Sequence, residues 1–153
     1  MVLKISQLLK AKAIMMDIDA KEKIAAIKEM VDYLAAKKLV TDGEVFLNAL
    51  AKRENLESTG IGDGIAIPHA RTDAVKGLLL AFARSQEGVD FSAIDGKPSY
   101  LIFLIASPED KKSEYIMALA KISRLLRRPQ VRSQLKHARN AQEVLDIIKS
   151  NEE

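Results

Sequence analysis

The sequence predicts an α/β fold with three layers, in which a central sheet is covered by helices on both faces. Strand-length apolar segments run continuously instead of alternating with polar residues, which is typical of strands buried on both faces. Segments with the helical apolar period come before and after them. The chain has 153 residues, and we expect a single domain over residues 1–153.

The first third of the chain is predicted to be largely helical. The apolar run 13–18 predicts a short strand. Asp19 is the expected N-cap of a helix from about residue 20 to 38, because apolar residues recur there at helical spacing. A second helix is expected from about Thr41 to Asn55.

The middle of the chain is predicted to form strands. Three glycines within residues 60–64 indicate a tight loop with unusual backbone angles. A short buried strand over 65–67 is expected to stop at Pro68. The remaining segments are predicted as strands at 78–83 and 100–106, with a hairpin or a loop carrying a small extra strand at 88–96.

The last third is predicted to be helical again. The segment 114–126 carries an apolar stripe, and Pro129 ends it and begins a short helix to about His137. Asn140 is the expected N-cap of a terminal helix over 141–149.

Composition excludes several classes of site. The absence of cysteine rules out a disulfide framework, a thiolate zinc site and a cysteine nucleophile. Two histidines argue against a histidine-rich metal site, and we expect neither a metal nor a cofactor. No secretory signal pattern and no run of 18 apolar residues is seen, so a cytoplasmic location is expected.

The charge is unevenly distributed. Residues 111–139 hold nine basic residues and one acid, a net charge of +8, whereas the rest holds 15 basic and 20 acidic residues, a net charge of −5. This asymmetry suggests an acidic or phosphorylated partner, and a solvated helix face explains it equally well. Tyr115 is the one aromatic residue of the segment, so a nucleic-acid surface with stacked bases is not expected.

His69 is the strongest candidate for chemistry. It follows Pro68 at the end of a predicted buried strand, where functional groups gather in open α/β sheets. A histidine on such a rigid corner suits proton transfer or nucleophilic attack, although a lone histidine is more often without chemistry. Arg53 precedes the glycine loop and either binds a phosphate near His69 or complements its helix dipole.

Other catalytic classes find less support. The glycine segment lacks the Gly-Lys-Ser/Thr of a P-loop, and Ile65 stands where the dinucleotide fingerprint requires glycine. Local grounds therefore favour a purely structural loop. No Gly-x-Ser-x-Gly elbow is present, which argues against a hydrolase. His137 lies in the basic helical region and is expected to be a surface residue.

The residues from Glu54 to Ala70, with the core Ala66-Ile-Pro-His69, resemble the phosphorylation-site signature of the fructose/mannitol-type IIA domains of the bacterial phosphotransferase system. The nitrogen-regulatory IIA proteins share this signature. The resemblance extends over nearly the whole chain and implies a single type-2 IIA domain. It also implies a three-layer α/β/α fold with a mixed central sheet flanked by helices on both faces.

The resemblance implies that His69 accepts a phosphoryl group from the carrier protein HPr, or its nitrogen-branch homologue, and passes it to a IIB domain. Arg53 matches the arginine that stabilises the phosphate. Many members carry a second histidine where this chain has Tyr115. A tyrosine hydroxyl donates a hydrogen bond to phosphate but carries no positive charge near neutral pH, so Tyr115 is a candidate phosphate donor.

Two functions remain open under this resemblance. One is a phosphocarrier in sugar uptake, and the other is a regulatory protein whose phosphorylation state controls a target. Transfer between histidines needs in-line positioning and positive or N–H groups around the phosphate, which Arg53 and the glycine loop are expected to supply, without a metal or nucleotide. We expect a monomer or weak dimer that meets the membrane only through the sugar permease.

Overall fold

The computed structural model describes residues 3–152, and Met1, Val2 and Glu153 lie outside them. The helices are α1 (Ile5–Leu8), α2 (Lys23–Ala36), α3 (Gly43–Leu56), α4 (Lys112–Leu126), α5 (Pro129–His137) and α6 (Ala141–Asn151), with 3-10 turns at Ala11–Ala13 and Glu109–Lys111. The strands are β1 (Ile14–Met15), β2 (Gly60–Gly62), β3 (Ile65–Ala66), β4 (His69–Arg71), β5 (Leu79–Val89) and β6 (Ser99–Ser107).

The strands form one mixed sheet in the order β1-β5-β6-β3-β2, and β4 also pairs with β6. The β1–β5, β3–β6 and β4–β6 pairs are parallel, whereas β5–β6 and β2–β3 are antiparallel. The predicted mixed sheet is therefore confirmed. Between β5 and β6 the chain turns back as a hairpin connection, and no additional strand is assigned between Val89 and Ser99.

Each face of the sheet has its own apolar core. Along β6, Ile102 and Leu104 join the core beneath α2 and α3, whereas Phe103 and Ile105 join the core beneath α1, α4, α5 and α6. Successive side chains of a strand point to opposite faces, so an uninterrupted apolar strand needs cover on both sides. The predicted three-layer architecture is thus confirmed.

The predicted cap of α6 is confirmed, the predicted cap of α2 is not, and α3 begins close to the expected start at Thr41. Asp42 caps α3 by accepting from the Val45 N–H at 3.1 Å, and Asn140 caps α6. The prediction for α2 was wrong, because Glu22 rather than Asp19 is its N-cap. The N–H of Asp19 instead donates to the carboxylate of Glu29, and residue 22 is extended beside Asp90.

Pro68 lies between two short strands that pair with the same neighbour. Ile65 is paired with Leu101 and His69 with Ile105, so β3 and β4 keep the same register along β6. Proline offers no N–H to the ladder, which accounts for the break between them. The expected stop at Pro68 is confirmed, since β3 ends at Ala66, but the return of strand pairing from His69 in β4 was not predicted.

Candidate active site

The ring of His69 is held by the backbone just before Pro68. Its Nδ1 atom lies 2.7 Å from the carbonyl oxygen of Ile67. A carbonyl oxygen can only accept, so the proton of the neutral ring lies on Nδ1 and the lone pair lies on Nε2. His69 is half-buried, and Nε2 is left as the nucleophilic atom of the ring.

The carbonyl that orients His69 is itself part of a hydrogen-bonded series. The buried carboxylate of Glu54 accepts from the Thr59 N–H at 2.7 Å and from the Thr59 hydroxyl at 2.6 Å. The carbonyl of Thr59 accepts from the Ile67 N–H at 3.0 Å. Glu54 therefore fixes the segment that carries the carbonyl bound to the ring of His69.

Arg53 lies in the last turn of α3, which packs against β4. Its Nη1 atom donates to the carbonyl oxygen of Glu57 at 2.8 Å, and this contact holds the guanidinium at the end of the helix. Burial lowers the pKa of His69 and raises the pKa of Tyr115, and the positive charge of Arg53 adds to the first shift and opposes the second. The structure thus brings Arg53 into the electrostatic environment of the two rings.

Tyr115 lies in the first turn of α4 and faces His69. The two ring centroids are 5.9 Å apart, with an angle of 57° between the ring planes. Burial raises the pKa of Tyr115, while the charges of Arg53 and Arg71 oppose that shift. The hydroxyl therefore stays protonated at neutral pH and can donate a hydrogen bond to an anion beside His69.

The surroundings of His69 favour its neutral form. Burial of the ring is the main cause that lowers the pKa of His69, and the nearby charge of Arg53 lowers it further. The hydrogen bond to Ile67 and the charge of Glu54 act in the opposite direction without reversing the shift. A neutral imidazole with a free Nε2 is the form that attacks phosphorus.

The turn at Gly62–Gly64 lies away from His69, whereas the start of the glycine segment, at Thr59, is hydrogen-bonded to Ile67. Gly62, Asp63 and Gly64 all have positive φ values, as the predicted tight loop requires. The turn packs against the start of β6, where the carbonyl of Gly64 accepts from the Tyr100 N–H at 2.8 Å. Because β3 pairs with Leu101 and His69 with Ile105, about 13 Å of strand separates them.

The sequence profile described as "Phosphoenolpyruvate-dependent sugar phosphotransferase system, EIIA 2" matches residues 7–151. The chain belongs to this family. The resemblance inferred from the residues 54–70 is confirmed, and the chain is a IIA component of the fructose/mannitol type.

Two curated relatives of this IIA chain are fructose-specific. It is 40% identical over 150 residues to the "PTS system fructose-specific EIIABC component" of Bacillus subtilis, which covers 98% of this chain. The chain spans only 24% of the length of that relative. It is 41% identical over 126 residues to the "PTS system fructose-specific EIIA component" of Haloferax volcanii, covering 82% of each protein.

Solved structures of related IIA proteins have the same fold. The nitrogen regulatory protein IIA-Ntr of Neisseria meningitidis superposes with a TM-score of 0.87 at 33% identity, covering 94% of this chain and 98% of that one. The IIA mannitol protein of Escherichia coli, solved in complex with phosphorylated IIB, gives a TM-score of 0.78 at 26% identity, covering 94% and 99%.

Arg71 shares a face of the sheet with His69 in this IIA chain, and sequence reasoning missed it. Ala70 is buried between half-buried His69 and exposed Arg71, so the alternation of β4 places the last two on the same face. The charge of Arg71 lowers the pKa of Tyr115. Recognition of a strand over 69–71 is the signal that would have found it, because i and i+2 residues of a strand share a face.

The remaining predictions for this IIA chain concern His137, metal binding and membrane spans. His137 is exposed at the end of α5, with Nδ1 2.8 Å from the carbonyl oxygen of Ser133. Within residues 3–152, no three His, Asp or Glu side chains converge in a way that would hold a metal ion. No helix in that part of the chain has the length and apolar character needed to cross a membrane.

Proposed function

We propose that this IIA chain is a phosphocarrier of a sugar phosphotransferase chain, with His69 as the phosphoryl acceptor and donor. The observation that carries the proposal is the 2.7 Å contact between Nδ1 and the Ile67 carbonyl, which leaves Nε2 free. The donor is an HPr-type phosphocarrier protein, and the acceptor is a IIB domain. The IIA–IIB complex of the Escherichia coli relative supports that pairing.

The transfer step needs few groups. The lone pair of His69 Nε2 forms a bond to phosphorus as the phosphorus–nitrogen bond of the donor phosphohistidine breaks, and the donor ring keeps that electron pair. The proton on Nδ1 stays in place, and the Ile67 carbonyl stabilises the positive charge that develops on the ring. The reverse sequence delivers the phosphoryl group to IIB.

Three side chains are positioned to stabilise the phosphoryl oxygens. Arg53 and Arg71 supply positive charge and planar donors, and Tyr115 supplies a neutral O–H donor. Arg53 is partly fixed by Glu57, whereas the exposed side chain of Arg71 has no hydrogen-bond or ion-pair partner within residues 3–152. Arg71 is therefore free to turn toward a phosphoryl group on Nε2.

Exposed apolar side chains near the site suit a transient protein partner. Leu56 ends α3, close to Arg53, and is 79% exposed. Ile116 and Met117 follow Tyr115 on α4 and are 52% and 44% exposed. A modest apolar face flanked by arginines favours brief docking of two partners in turn.

A regulatory function is the second candidate. The similarity to IIA-Ntr of Neisseria meningitidis favours it, as does Tyr115 at the position where the resemblance implies a second histidine. In that case the same phosphorylation of His69 controls binding to a target protein. In either function we infer one IIA domain over residues 1–153, acting in the cytoplasm without nucleic acid and reaching the membrane only through a permease.

Intact-mass measurement tests the proposal. The chain is incubated with phosphoenolpyruvate, enzyme I and HPr, or with the nitrogen-branch carrier, beside His69→Ala and His137→Ala variants. We expect one acid-labile phosphoryl adduct on the wild type and on His137→Ala, and none on His69→Ala. No adduct with either carrier overturns the proposal.

Onward transfer separates the two functions. A sugar-specific IIB domain that removes the phosphoryl group within seconds supports sugar uptake. A stable phosphorylated form that binds a target differently from the unphosphorylated form supports regulation.

A further inference from the structure

A cavity of about 280 Å³ opens between α1, the C-terminal half of α4 and the end of α6. It lies at the other end of α4 from Tyr115, and the nine residues to Arg124 correspond to about 14 Å along the helix. It is therefore separate from the candidate active site. We refer to it as the basic cavity, after the four cationic residues that line it: Lys121, Arg124, Arg127 and Arg128.

Two of the four cations are held in place by the backbone. The Lys121 ammonium donates to the carbonyl oxygen of Leu3 at 2.5 Å, and the Arg128 guanidinium donates to the carbonyl oxygen of Asn151. Their positive charges remain without a carboxylate, since neither forms an ion pair within the described part of the chain. The wall of the cavity is thus a pre-positioned positive surface.

The other two cations have room to move. Arg124 and Arg127 are exposed at the rim and form no ion pair among residues 3–152. Among residues 3–152, Glu152 is the one acid lining the cavity, and its carboxylate accepts from the N–H and hydroxyl of Ser6. In this described part of the chain, four positive charges therefore face one carboxylate that already has other partners.

The floor of the cavity is apolar. Ile5 and Leu125 line it, and both belong to the core beneath α1 and α4. The cavity is also far larger than the share of about 30 Å³ that a water molecule occupies in the liquid. This volume suits an anion attached to a compact body that fills the cavity, rather than an isolated ion.

We propose that the basic cavity binds a small organic phosphate, such as a hexose phosphate or a nucleoside monophosphate. Guanidinium groups match the geometry of phosphate oxygens with paired N–H donors, and the positive charge of the cavity exceeds the two negative charges of a phosphate dianion. The sugar or nucleoside part fills the volume of the cavity above the buried side chains of Ile5 and Leu125. The site is distinct from the proposed phosphoryl transfer at His69 and does not depend on it.

Titration of the full chain followed by ¹H–¹⁵N NMR tests this proposal. The probes are glucose 6-phosphate, adenosine 5′-monophosphate and inorganic phosphate. We expect at least one organic phosphate to bind saturably, with the largest shifts in α1, the end of α4 and α6. Binding weakens at least about tenfold in Arg124→Gln/Arg127→Gln, because two guanidinium groups with paired N–H donors are lost.

Two control variants locate the binding. Lys28→Gln/Lys37→Gln removes the same charge from exposed positions in α2 and at its C-cap, on the opposite face of the sheet, and we expect less than a twofold change. Arg53→Gln is expected to leave these shifts unchanged, which separates the basic cavity from the active site. Tighter binding of glucose 6-phosphate identifies the ligand class as a sugar phosphate, and tighter binding of adenosine 5′-monophosphate identifies it as a nucleotide.

The proposal is overturned if neither organic phosphate binds saturably, or if inorganic phosphate binds with the same affinity as the organic phosphates. It is also overturned if Arg124→Gln/Arg127→Gln binds the organic phosphate as tightly as the wild type. Both arginines are exposed, so the double variant is expected to fold, and its dispersed NMR spectrum verifies this.

Discussion

His69 Nδ1 donates to the carbonyl oxygen of Ile67 across 2.7 Å, two residues earlier in the same extended segment. The bond determines which nitrogen of the ring is free to react. Ile67 donates its N–H to the Thr59 carbonyl, on the side of the segment away from β6, whereas the Pro68 carbonyl accepts from the Ile105 N–H of β6. The Ile67 carbonyl is therefore directed away from β6 and can accept from the ring. The backbone direction at Ile67 therefore also determines the orientation of the His69 ring.

The rate of phosphorylation should rise with pH and reach its plateau below the pH typical of histidine. Burial lowers the pKa of His69, so its neutral, reactive form persists to a pH below the ordinary value of about 6.5. The rate falls as the pH drops through the lowered pKa. Single-turnover rates with phosphorylated HPr, together with an NMR titration of the His69 ring, measure this directly. A ring pKa at or above 6.5 contradicts the prediction.

The same shift has a consequence for stability. The folded state binds fewer protons than the unfolded state between the lowered pKa and about 6.5, so the free energy of unfolding increases with pH in that window. The contribution is complete above about 6.5 and is lost as the pH falls through the folded pKa. His69→Ala removes it, and urea unfolding of both proteins across this range checks the sign.

Tyr115→Phe should slow phosphoryl transfer about tenfold while leaving the melting temperature nearly unchanged. The substitution keeps the ring against His69 and removes only the O–H donor. Tyr115→His restores a donor that can also carry charge, and its rate should equal or exceed that of the wild type. Stopped-flow transfer rates from phosphorylated HPr provide the measurement. Wild-type rates for Tyr115→Phe would show that the hydroxyl does not touch the phosphoryl group.

Arg53→Gln and Arg71→Gln should each slow the transfer by about tenfold to a hundredfold. Each loses a charged donor to the phosphoryl oxygens, an interaction worth about 1.5–3 kcal/mol. Lys52→Gln removes an exposed charge next to Arg53 and serves as the matched control, with less than a twofold effect. Arg53→Lys should recover only part of the rate, because lysine lacks the planar fork. If Arg71→Gln behaves like the control, Arg71 has no place in the site.

Glu54→Ala should lower the free energy of unfolding by about 2–3 kcal/mol. Glu54 is 2% exposed, and its removal leaves two buried donors of Thr59 without an acceptor. Glu57→Ala, at an exposed position of the same segment, should change it by less than about 0.5 kcal/mol. Urea unfolding monitored by circular dichroism gives both values. Equal effects would mean that the hydrogen bonds of Glu54 add nothing to stability.

Loss of Glu54 should also slow transfer, because the Thr59–Ile67 contact that positions the carbonyl beside His69 is loosened. Glu54→Gln retains an acceptor oxygen and is expected to recover part of both losses. If Glu54 positions the His69 ring, Glu54→Ala changes the tautomer ratio of His69, which ¹⁵N NMR measures. A purely structural role of Glu54 would leave that ratio unchanged.

The sequence was sufficient to predict the layers and most of the elements. Apolar periodicity located the long strands and helices, and Asn140 as N-cap placed the start of α6 correctly. Asp19 failed as a cap because α2 begins only at Lys23, where Glu22 has extended backbone and its side chain accepts from the Ala25 N–H. Residue 22 pairs with Asp90, a long-range contact that no local pattern reports.

The active site was less accessible from local patterns. A three-residue strand that begins directly after a proline carries no periodic signal, so β4 and Arg71 on it were missed. The position of the glycine turn depends on the register between β3 and β6, which the sequence does not contain. Glu54 becomes significant only once Thr59 is folded against it.

The most direct test of the account is ¹⁵N and ³¹P NMR of the phosphorylated, uniformly ¹⁵N-labelled chain. We predict a single phosphohistidine, at His69, with phosphorus coupled to Nε2 and a proton retained on Nδ1. Phosphorus coupled to Nδ1, or a phosphoryl group on any residue other than His69, would contradict the central claim that the Ile67 carbonyl selects the reactive nitrogen.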